Sequence, residues 1–117
     1  MRKRYYLAYG SNLNIRQMKY RCPSARVVGT AELKDYRLLF KGSKTGSYLT
    51  VEPNDGINVP VGVWEVSPED EATLDRYEGF PDFYYKKELI LDITCIRTKQ
   101  VRTRRCFVYI MHENRPV

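Results

Sequence analysis

One segment of the sequence carries a complete set of helix signals, and most of what surrounds it has the composition of strands. In S-P-E-D-E-A-T-L-D-R-Y-E-G, Ser67 suits the N-cap and Pro68 the first helical position, and Gly79 suits the left-handed residue that ends a helix. A second, shorter helix is expected over N-I-R-Q-M-K-Y-R-C, where apolar residues recur every three or four positions until Pro23 forbids continuation. These two segments are the predicted helices.

The other segments alternate in polarity or are rich in aromatic and branched residues. R-Y-Y-L-A-Y is a predicted strand, and the stretch from Ala25 to Gly42 is a predicted bent strand pair with a bulge or bend at Gly29. Two more strands are expected on either side of a turn at residues 54–56, and another two follow the main helix, in residues 84–98 and 101–112. About six to seven strands with two or more short flanking helices predict an α+β domain built on a curled or closed sheet.

Length and composition indicate one domain spanning residues 1–117, because 117 residues that are 43% hydrophobic suffice for one core and leave little room for a second. The longest apolar runs are too short for a membrane span, and the first residues lack the apolar region of a signal peptide, so a cytoplasmic protein is expected. Three cysteines at wide spacings and one histidine favour buried thiols over a disulfide framework or a metal site.

The charge is uneven along the chain. The first fifty residues hold eleven lysines and arginines against two acids, and the net charge of the whole chain is +6. This asymmetry, together with ten tyrosines that could stack on bases, leaves a nucleic-acid surface open. The basic residues are spread over several predicted strands and turns, which favours a solvated basic face that attracts small anions. Nucleic acid is therefore not the expected partner, and the oligomeric state is undetermined.

The first predicted strand ends in Y-G-S-N. Gly10 permits the sharp exit from a strand, and Ser11 and Asn12 are suitable N-cap residues for the helix that follows. The backbone N–H groups at such a helix start would favour a carboxylate or phosphate. The glycine and lysine pattern of a nucleotide-binding loop is absent from the sequence, so a carboxylate is preferred. The alternative is a turn with a helix cap and no ligand.

Glu78 is the acid that stands out in the second helix. It follows Leu74 by four residues, beside the apolar face, and lies at the negative end of the helix dipole. Partial burial and the dipole would both raise its pKa toward the range where a carboxyl exchanges protons near neutral pH. Glu71 and Asp75 are expected to be solvated. The alternative for Glu78 is a surface acid paired with Lys86, Lys87 or an arginine.

Three segments together resemble the γ-glutamylcyclotransferase-like family. These are Y-L-A-Y-G-S-N-L, then L-D-R-Y-E-G-F-P-D-F-Y-Y-K-K after a capped helix, and C-F-V-Y-I-M in a late strand, in the same order and at similar distances as in the family. The resemblance spans Tyr6 to about His112 and implies a mixed β-barrel with flanking helices. It implies that the Y-G-S-N loop lies at the mouth of a cavity, that Glu78 is the general acid and base, and that Tyr109 lies near the substrate.

The implied activity converts a γ-glutamyl amino acid or γ-glutamyl amine to 5-oxoproline and the free amine, with no metal, nucleotide or other cofactor. The expected substrate-binding residues are Tyr9, Gly10, Ser11, Asn12, Leu13 and Tyr109. A non-catalytic module of the same fold that binds a small carboxylate or a protein remains the alternative. Family members often continue beyond the last strand, whereas this sequence stops at E-N-R-P-V, so the domain is either minimal or lacks a C-terminal tail.

Overall fold

The computed structural model describes residues 3–43 and 46–112 of the chain. The C-terminal residues on which the question of a tail depends lie outside these ranges. Within them the chain forms five strands, two α-helices and one 3-10 turn. In chain order these are β1 (Arg4–Ala8), the 3-10 turn Ser11–Leu13, α1 (Ile15–Arg21), β2 (Arg26–Ser43), β3 (Gly46–Val66), α2 (Pro68–Glu78), β4 (Tyr84–Cys95) and β5 (Val101–Met111).

The strands close into a barrel in the order β1-β3-β2-β4-β5. β1 and β5 are parallel, with Tyr5 opposite Cys106, and the other neighbours are antiparallel, so the sheet is mixed. The predicted α+β fold with a closed mixed barrel is confirmed. In the described ranges there are five strands instead of six to seven, because β2 and β3 run continuously for 18 and 21 residues where the sequence suggested breaks.

The prediction of a turn at residues 54–56 is wrong, because these residues lie within β3. Gly56 does adopt a left-handed backbone, with φ of 85°, but it lies inside β3. The partner strand bulges at the same place, where Asp35 has φ of 64° and the register shifts between Lys34 and Tyr36. The Gly56 N–H donates to Asp35 Oδ1 at 2.9 Å. The paired irregularities bend both strands without reversing either one.

Gly29 does mark a bulge, as expected, with a register shift between Val27 and Gly29. The backbone of β4 lies against it, opposite Cys95. A Cβ at position 29 would lie 2.0 Å from the Thr94 carbonyl oxygen, a separation that no side chain tolerates. Glycine is therefore required where β2 and β4 meet to close the barrel.

The expected ends of α2 are confirmed. The Ser67 hydroxyl accepts from the Asp70 N–H at 3.1 Å, and Asp70 Oδ2 accepts from the Ser67 N–H at 3.2 Å, so the two form a capping box. Gly79 ends the helix with φ of 66°.

The second helix forms within the predicted segment, as α1, but the prediction that Ser11 or Asn12 caps it is wrong. Residues 11–13 form a separate 3-10 turn, and the N-cap is Asn14, whose side chain accepts from the Gln17 N–H at 3.1 Å.

Two apolar clusters follow from the alternation of side chains along the strands. One draws on all five strands and on neither helix, and therefore fills the barrel; it includes Leu7, Val63 and Val108. The other lies between the barrel and the helices, and its members alternate with the first along the same strands. Tyr6, Trp64, Phe107 and Tyr109 belong to this outer cluster, as do Met18 of α1 and Leu74 of α2.

The three cysteines are free thiols. Cys22 and Cys106 are buried as expected, whereas Cys95 is partly exposed. In the part of the chain that the structure describes, neither helix has the length and apolar content to cross a bilayer.

Candidate active site

A cavity of about 610 Å³ opens where the loop after β1 and the C-terminal end of α2 meet residues of β3, β4 and β5. Seven of its lining side chains are aromatic, so its walls are largely apolar, with a few polar groups between them. The described lining consists of Tyr6, Tyr9, Gly10, Asn12, Tyr48, Leu49, Arg76, Tyr77, Glu78, Gly79, Phe83, Tyr84 and Tyr109. This volume suits a small organic ligand.

Glu78 contributes a carboxyl group to this cavity from the last residue of α2. Burial disfavours the charged form and raises its pKa from 4.5 to about 7, although the Arg21 guanidinium opposes the shift. Among residues 3–43 and 46–112, no hydrogen bond or ion pair of the Glu78 carboxylate is seen. Desolvation therefore brings the pKa of this carboxyl close to neutral pH. Its two oxygens have no partner among the described residues.

Within the described residues the ion pair considered for Glu78 is not seen, and Lys86 pairs with other acids instead. Its ammonium lies 2.6 Å from Glu71 Oε2 and 3.0 Å from Asp75 Oδ1. Glu71 also accepts from the Arg4 guanidinium at 2.8 Å and is only 8% exposed. The expectation that Glu71 and Asp75 are solvated is therefore wrong: both carboxylates belong to a network between α2 and the strands.

The loop after β1 brings Gly10 and Asn12 to the cavity. The Leu13 N–H is bonded to the Gly10 carbonyl at 2.9 Å in the 3-10 turn. In the described part of the chain, the N–H groups of Gly10 and Asn12 have no hydrogen bond within the protein. Both residues lie in the described lining of the cavity.

The Asn12 side chain is fully engaged in holding this loop and is 2% exposed. Its Oδ1 accepts a hydrogen bond from Arg21, and its Nδ2 donates to the Tyr6 hydroxyl at 2.9 Å. The Asn12 carbonyl accepts from Trp64 Nε1 at 3.2 Å. The amide side chain therefore holds the loop in place against α1 and β1.

Tyr9 and Tyr109 line the same cavity and are joined to each other. The Tyr9 hydroxyl donates to the Tyr109 carbonyl at 2.6 Å, and the Tyr109 hydroxyl donates to Asp75 Oδ1 at 2.6 Å. Burial raises the pKa of both phenols well above the usual range. Both hydroxyls therefore stay protonated near neutral pH. They can accept a hydrogen bond or position a ligand, but they do not serve as bases.

The structure thus brings Tyr9, Gly10, Asn12, Glu78 and Tyr109 to one cavity. Leu13 lies elsewhere, half exposed and packed near Gly62, and does not line the cavity in the described residues. The Ser11 side chain lies outside the described part of the structure. The roles of these residues in binding stay predictions.

Several cavity groups were not predicted from the sequence. Tyr6, Tyr48, Tyr77, Phe83 and Tyr84 build the aromatic walls. The clustering of aromatics in G-F-P-D-F-Y-Y directly after Glu78 was a usable signal for two of them. Tyr48 offered none, because it follows a polar turn far along the chain.

Arg21 is a further residue that the sequence did not single out. Its guanidinium lies 3.7 Å from the centre of the Tyr77 ring and also donates to Asn12, so it connects the loop after β1 to the end of α2. The same cation limits the rise in the pKa of Glu78. Arg21 is separated by more than fifty residues from Tyr77, and only the fold reveals the contact.

The structure combines a small closed mixed β-barrel with a side cavity that contains one partly buried carboxyl group. Residues 6–117 match the family described as gamma-glutamyl cyclotransferase, AIG2-like, and the chain belongs to that family. The resemblance inferred from the three sequence segments is thereby confirmed.

Curated relatives agree with this family. Gamma-glutamylcyclotransferase of Bos taurus is 31% identical over 113 residues, which cover 91% of this chain and 58% of the relative. The Homo sapiens protein of the same name is 30% identical with the same coverage. The chain therefore spans 58% of the length of these relatives. A solved structure of a protein named gamma-glutamyl cyclotransferase matches with a TM-score of 0.81 at 27% identity, over 95% of this chain and 68% of that one.

Proposed function

We propose that this protein is a γ-glutamylcyclotransferase-type enzyme that converts a γ-glutamyl amino acid or γ-glutamyl amine to 5-oxoproline and the free amine. Glu78 is the general acid and base. The observation that carries the proposal is a cavity carboxyl whose pKa is raised to about 7 by burial. A group with this pKa is populated in both protonation states near neutral pH, which a proton-transfer catalyst requires.

The reaction is intramolecular. Glu78 accepts a proton from the α-ammonium of the glutamyl group, and the resulting amine attacks the γ-carbonyl carbon to close a five-membered lactam. The carboxyl of Glu78 then donates a proton to the departing nitrogen as its bond to the γ-carbon breaks. Overall the attacking nitrogen loses two protons and the departing nitrogen gains two, so Glu78 returns to its starting state.

The main task of the protein in this reaction is to orient the substrate. An intramolecular attack held in a productive geometry gains on the order of 7 kcal/mol or more from orientation in favourable models. The cavity walls supply this restraint through packed aromatic rings, of which Phe83 lies 5.1 Å from Tyr84 and 5.4 Å from Tyr48 between ring centres. The same walls partly shield the Glu78 carboxyl from water, consistent with its raised pKa.

The N–H groups of Gly10 and Asn12 serve one of two roles. They either hold the α-carboxylate of the glutamyl group or polarise the γ-carbonyl and stabilise the oxyanion that forms on it. Both roles use N–H groups for which the described residues provide no partner. Tyr9 and Tyr109 shape the adjacent wall, and the Asn12 side chain keeps the loop in place.

The test is a panel of γ-glutamyl compounds incubated with the purified protein, with 5-oxoproline as the measured product. The panel comprises a γ-glutamyl amino acid, a γ-glutamyl amine, a γ-glutamyl-lysine isopeptide and glutathione. We expect 5-oxoproline from at least one of the first three. If calorimetry shows binding of a panel compound and no 5-oxoproline forms from any, the protein is the non-catalytic module and the proposal is wrong.

A further inference from the structure

Arg21 contacts two parts of the cavity wall that come from distant segments of the chain. It is partly buried at the end of α1 and is not among the described lining residues of the cavity. Its guanidinium donates to Asn12 Oδ1 in the loop after β1 and lies 3.7 Å from the centre of the Tyr77 ring. Tyr77 directly precedes Glu78 at the end of α2. One cation behind the wall therefore joins the loop to the segment that carries the candidate acid.

The contact with Asn12 fixes the position of the loop. The Asn12 side chain is 2% exposed and lies between Arg21 and the Tyr6 hydroxyl, to which it donates at 2.9 Å. Loss of the arginine would leave the buried Asn12 Oδ1 without this donor, which is costly for a buried polar atom. The backbone of Gly10 and Asn12 would then no longer be held at a fixed distance from the end of α2.

The charge of Arg21 also acts on Glu78. Burial raises the pKa of Glu78 to about 7, and the guanidinium acts in the opposite direction. The other titratable side chains of the described lining come from β1, the loop after it, β3, β4, β5 and α2 itself: Tyr6, Tyr9, Tyr48, Tyr84, Tyr109, Tyr77 and Arg76. Burial holds the pKa of four of these phenols above the usual range, those of Tyr6, Tyr9, Tyr84 and Tyr109. These four stay neutral while Glu78 titrates.

We propose that Arg21 is a positioning residue for the reaction: its guanidinium holds the loop after β1 against the end of α2 and stabilises the ionised form of Glu78. This inference rests on the proposed function. The carboxylate is the form that accepts the ammonium proton, and the backbone of Gly10 and Asn12 holds the same glutamyl group. Arg21 thus aligns the proton acceptor with the bound substrate and does not touch the substrate itself.

A simpler role for Arg21 is to interact with the negative end of the α1 dipole. Lys19 lies in the same last turn, where its ammonium donates to the Ala25 carbonyl at 2.7 Å. A role of this kind affects the stability of the helix and leaves the protonation of Glu78 unchanged. Lys19→Gln is therefore the matched control, because it removes one cation and one structural hydrogen bond from the same turn.

The first experiment needs no substrate. Carbon-13 NMR follows the Glu78 carboxyl of the ligand-free protein as the pH is changed, and Glu78→Gln identifies its resonance. We expect the carboxyl of Arg21→Gln to titrate at higher pH than that of the natural protein, because the cation that favours the ionised form is gone. Arg21→Lys keeps the charge and should titrate close to the natural protein. Lys19→Gln should titrate as the natural protein does.

The second experiment measures kcat/KM as a function of pH from 5-oxoproline formation, with the best γ-glutamyl compound. We expect Arg21→Gln to lower kcat/KM about tenfold near neutral pH, the effect of losing a charge-assisted hydrogen bond. The acid limb of the profile should move to higher pH, so that the loss is smaller at about pH 9, where Glu78 is ionised in both proteins. Lys19→Gln should keep the natural profile.

The outcomes separate this inference from the proposed function. An unchanged Glu78 titration in Arg21→Gln, or an equal shift in Lys19→Gln, overturns the role of Arg21 even if the protein is an active enzyme. A loss of kcat/KM that is the same at every pH also overturns it. Absence of 5-oxoproline from every compound overturns the proposed function, and the positioning role with it. If melting temperatures show that Arg21→Gln is unfolded, Arg21→Lys decides, because a raised Glu78 titration despite the retained charge contradicts the proposal.

Discussion

The Tyr109 hydroxyl donates a 2.6 Å hydrogen bond to Asp75 Oδ1 and so joins the last strand to the second helix beside the cavity. Asp75 also pairs with Lys86 at 3.0 Å, and the Tyr109 ring lies edge-on to Phe80. These contacts fix the end of α2, where Glu78 lies. Positioning of the carboxyl therefore depends on residues of β4 and β5 as well as on the helix itself.

Replacing Tyr109 with Phe removes this hydrogen bond and keeps the ring. Asp75 retains Lys86, so the carboxylate is not left alone, and we expect a loss of about 1 kcal/mol in the free energy of unfolding. Urea denaturation measures it. The control is Tyr20→Phe, which removes the same hydroxyl from a side chain that is 89% exposed and should leave stability unchanged. Equal stability of all three proteins would contradict a structural role for the Tyr109 hydroxyl.

Replacing Glu78 with Gln keeps the shape of the side chain and removes its ability to accept a proton near neutral pH. General acid–base catalysis then predicts a loss of roughly 10²-fold to 10⁴-fold in turnover, with substrate binding retained. Turnover of the best γ-glutamyl compound and calorimetric affinity measure the two effects. Glu69→Gln makes the same change at an exposed position of the same helix and should stay active. A fully active Glu78→Gln variant would rule out the mechanism.

The pKa of Glu78 also predicts how stability depends on pH. The folded-state pKa is about 7 against 4.5 for the unfolded chain, so the folded state binds this proton more tightly. The resulting contribution to stability is fully present below pH 4.5 and is lost as pH rises through 7. Glu78→Gln does not titrate, so its unfolding free energy should rise relative to the natural protein by on the order of 3 kcal/mol between pH 4 and pH 8.

Denaturation of both proteins at several pH values tests this linkage. The difference between them should change between about pH 4 and pH 8 and stay constant at higher pH. A difference that does not vary with pH would show that Glu78 titrates normally in the folded protein, and the argument for its role as a base near neutral pH would fail with it.

Gly29→Ala tests the close contact that completes the barrel. The new Cβ would lie 2.0 Å from the Thr94 carbonyl oxygen and 3.2 Å from the Cys95 Cα, and both are backbone atoms of the neighbouring strand. We expect a loss of about 3 kcal/mol or more in unfolding free energy, since β2 and β4 must separate. Gly10→Ala is the control for stability, because its Cβ would meet only the Leu49 side chain at 3.8 Å. Similar stabilities for the two variants would contradict the contact.

Features set by neighbouring residues were predictable from the sequence. The cap at Ser67 and the stop at Gly79 were identified because a helix end is satisfied by side chains within a few positions of it. The family resemblance likewise pointed to Glu78 and to the loop at Gly10 as parts of one site. The alternation of apolar residues indicated strands, although it could not show which strands pair.

Features set by distant partners were mispredicted. The glycine at position 56 does have a left-handed backbone, yet whether it forms a turn or a bulge depends on Asp35 in the neighbouring strand. From its position in the sequence, Asp75 was predicted to be a solvated helix residue. In the fold it contacts Tyr109 and Lys86, which come from distant strands. The long strands β2 and β3 were each predicted as two strands. Residues typical of turns are visible in the sequence, whereas the strand pairing that keeps each strand continuous is not.

The sequence by itself determined the family, the two helices and the choice of Glu78 as the candidate acid–base residue, because these depend on short motifs and local hydrogen bonds. The sequence indicated that the pKa of Glu78 would be raised, whereas only the tertiary structure shows the burial that raises it to about 7, since the groups that shield the carboxyl come together from across the chain. The tertiary structure also decided that Arg21 joins the Asn12 loop to the end of α2. Desolvation and long-range contacts are properties of the packed chain, and no spacing of residues encodes them directly.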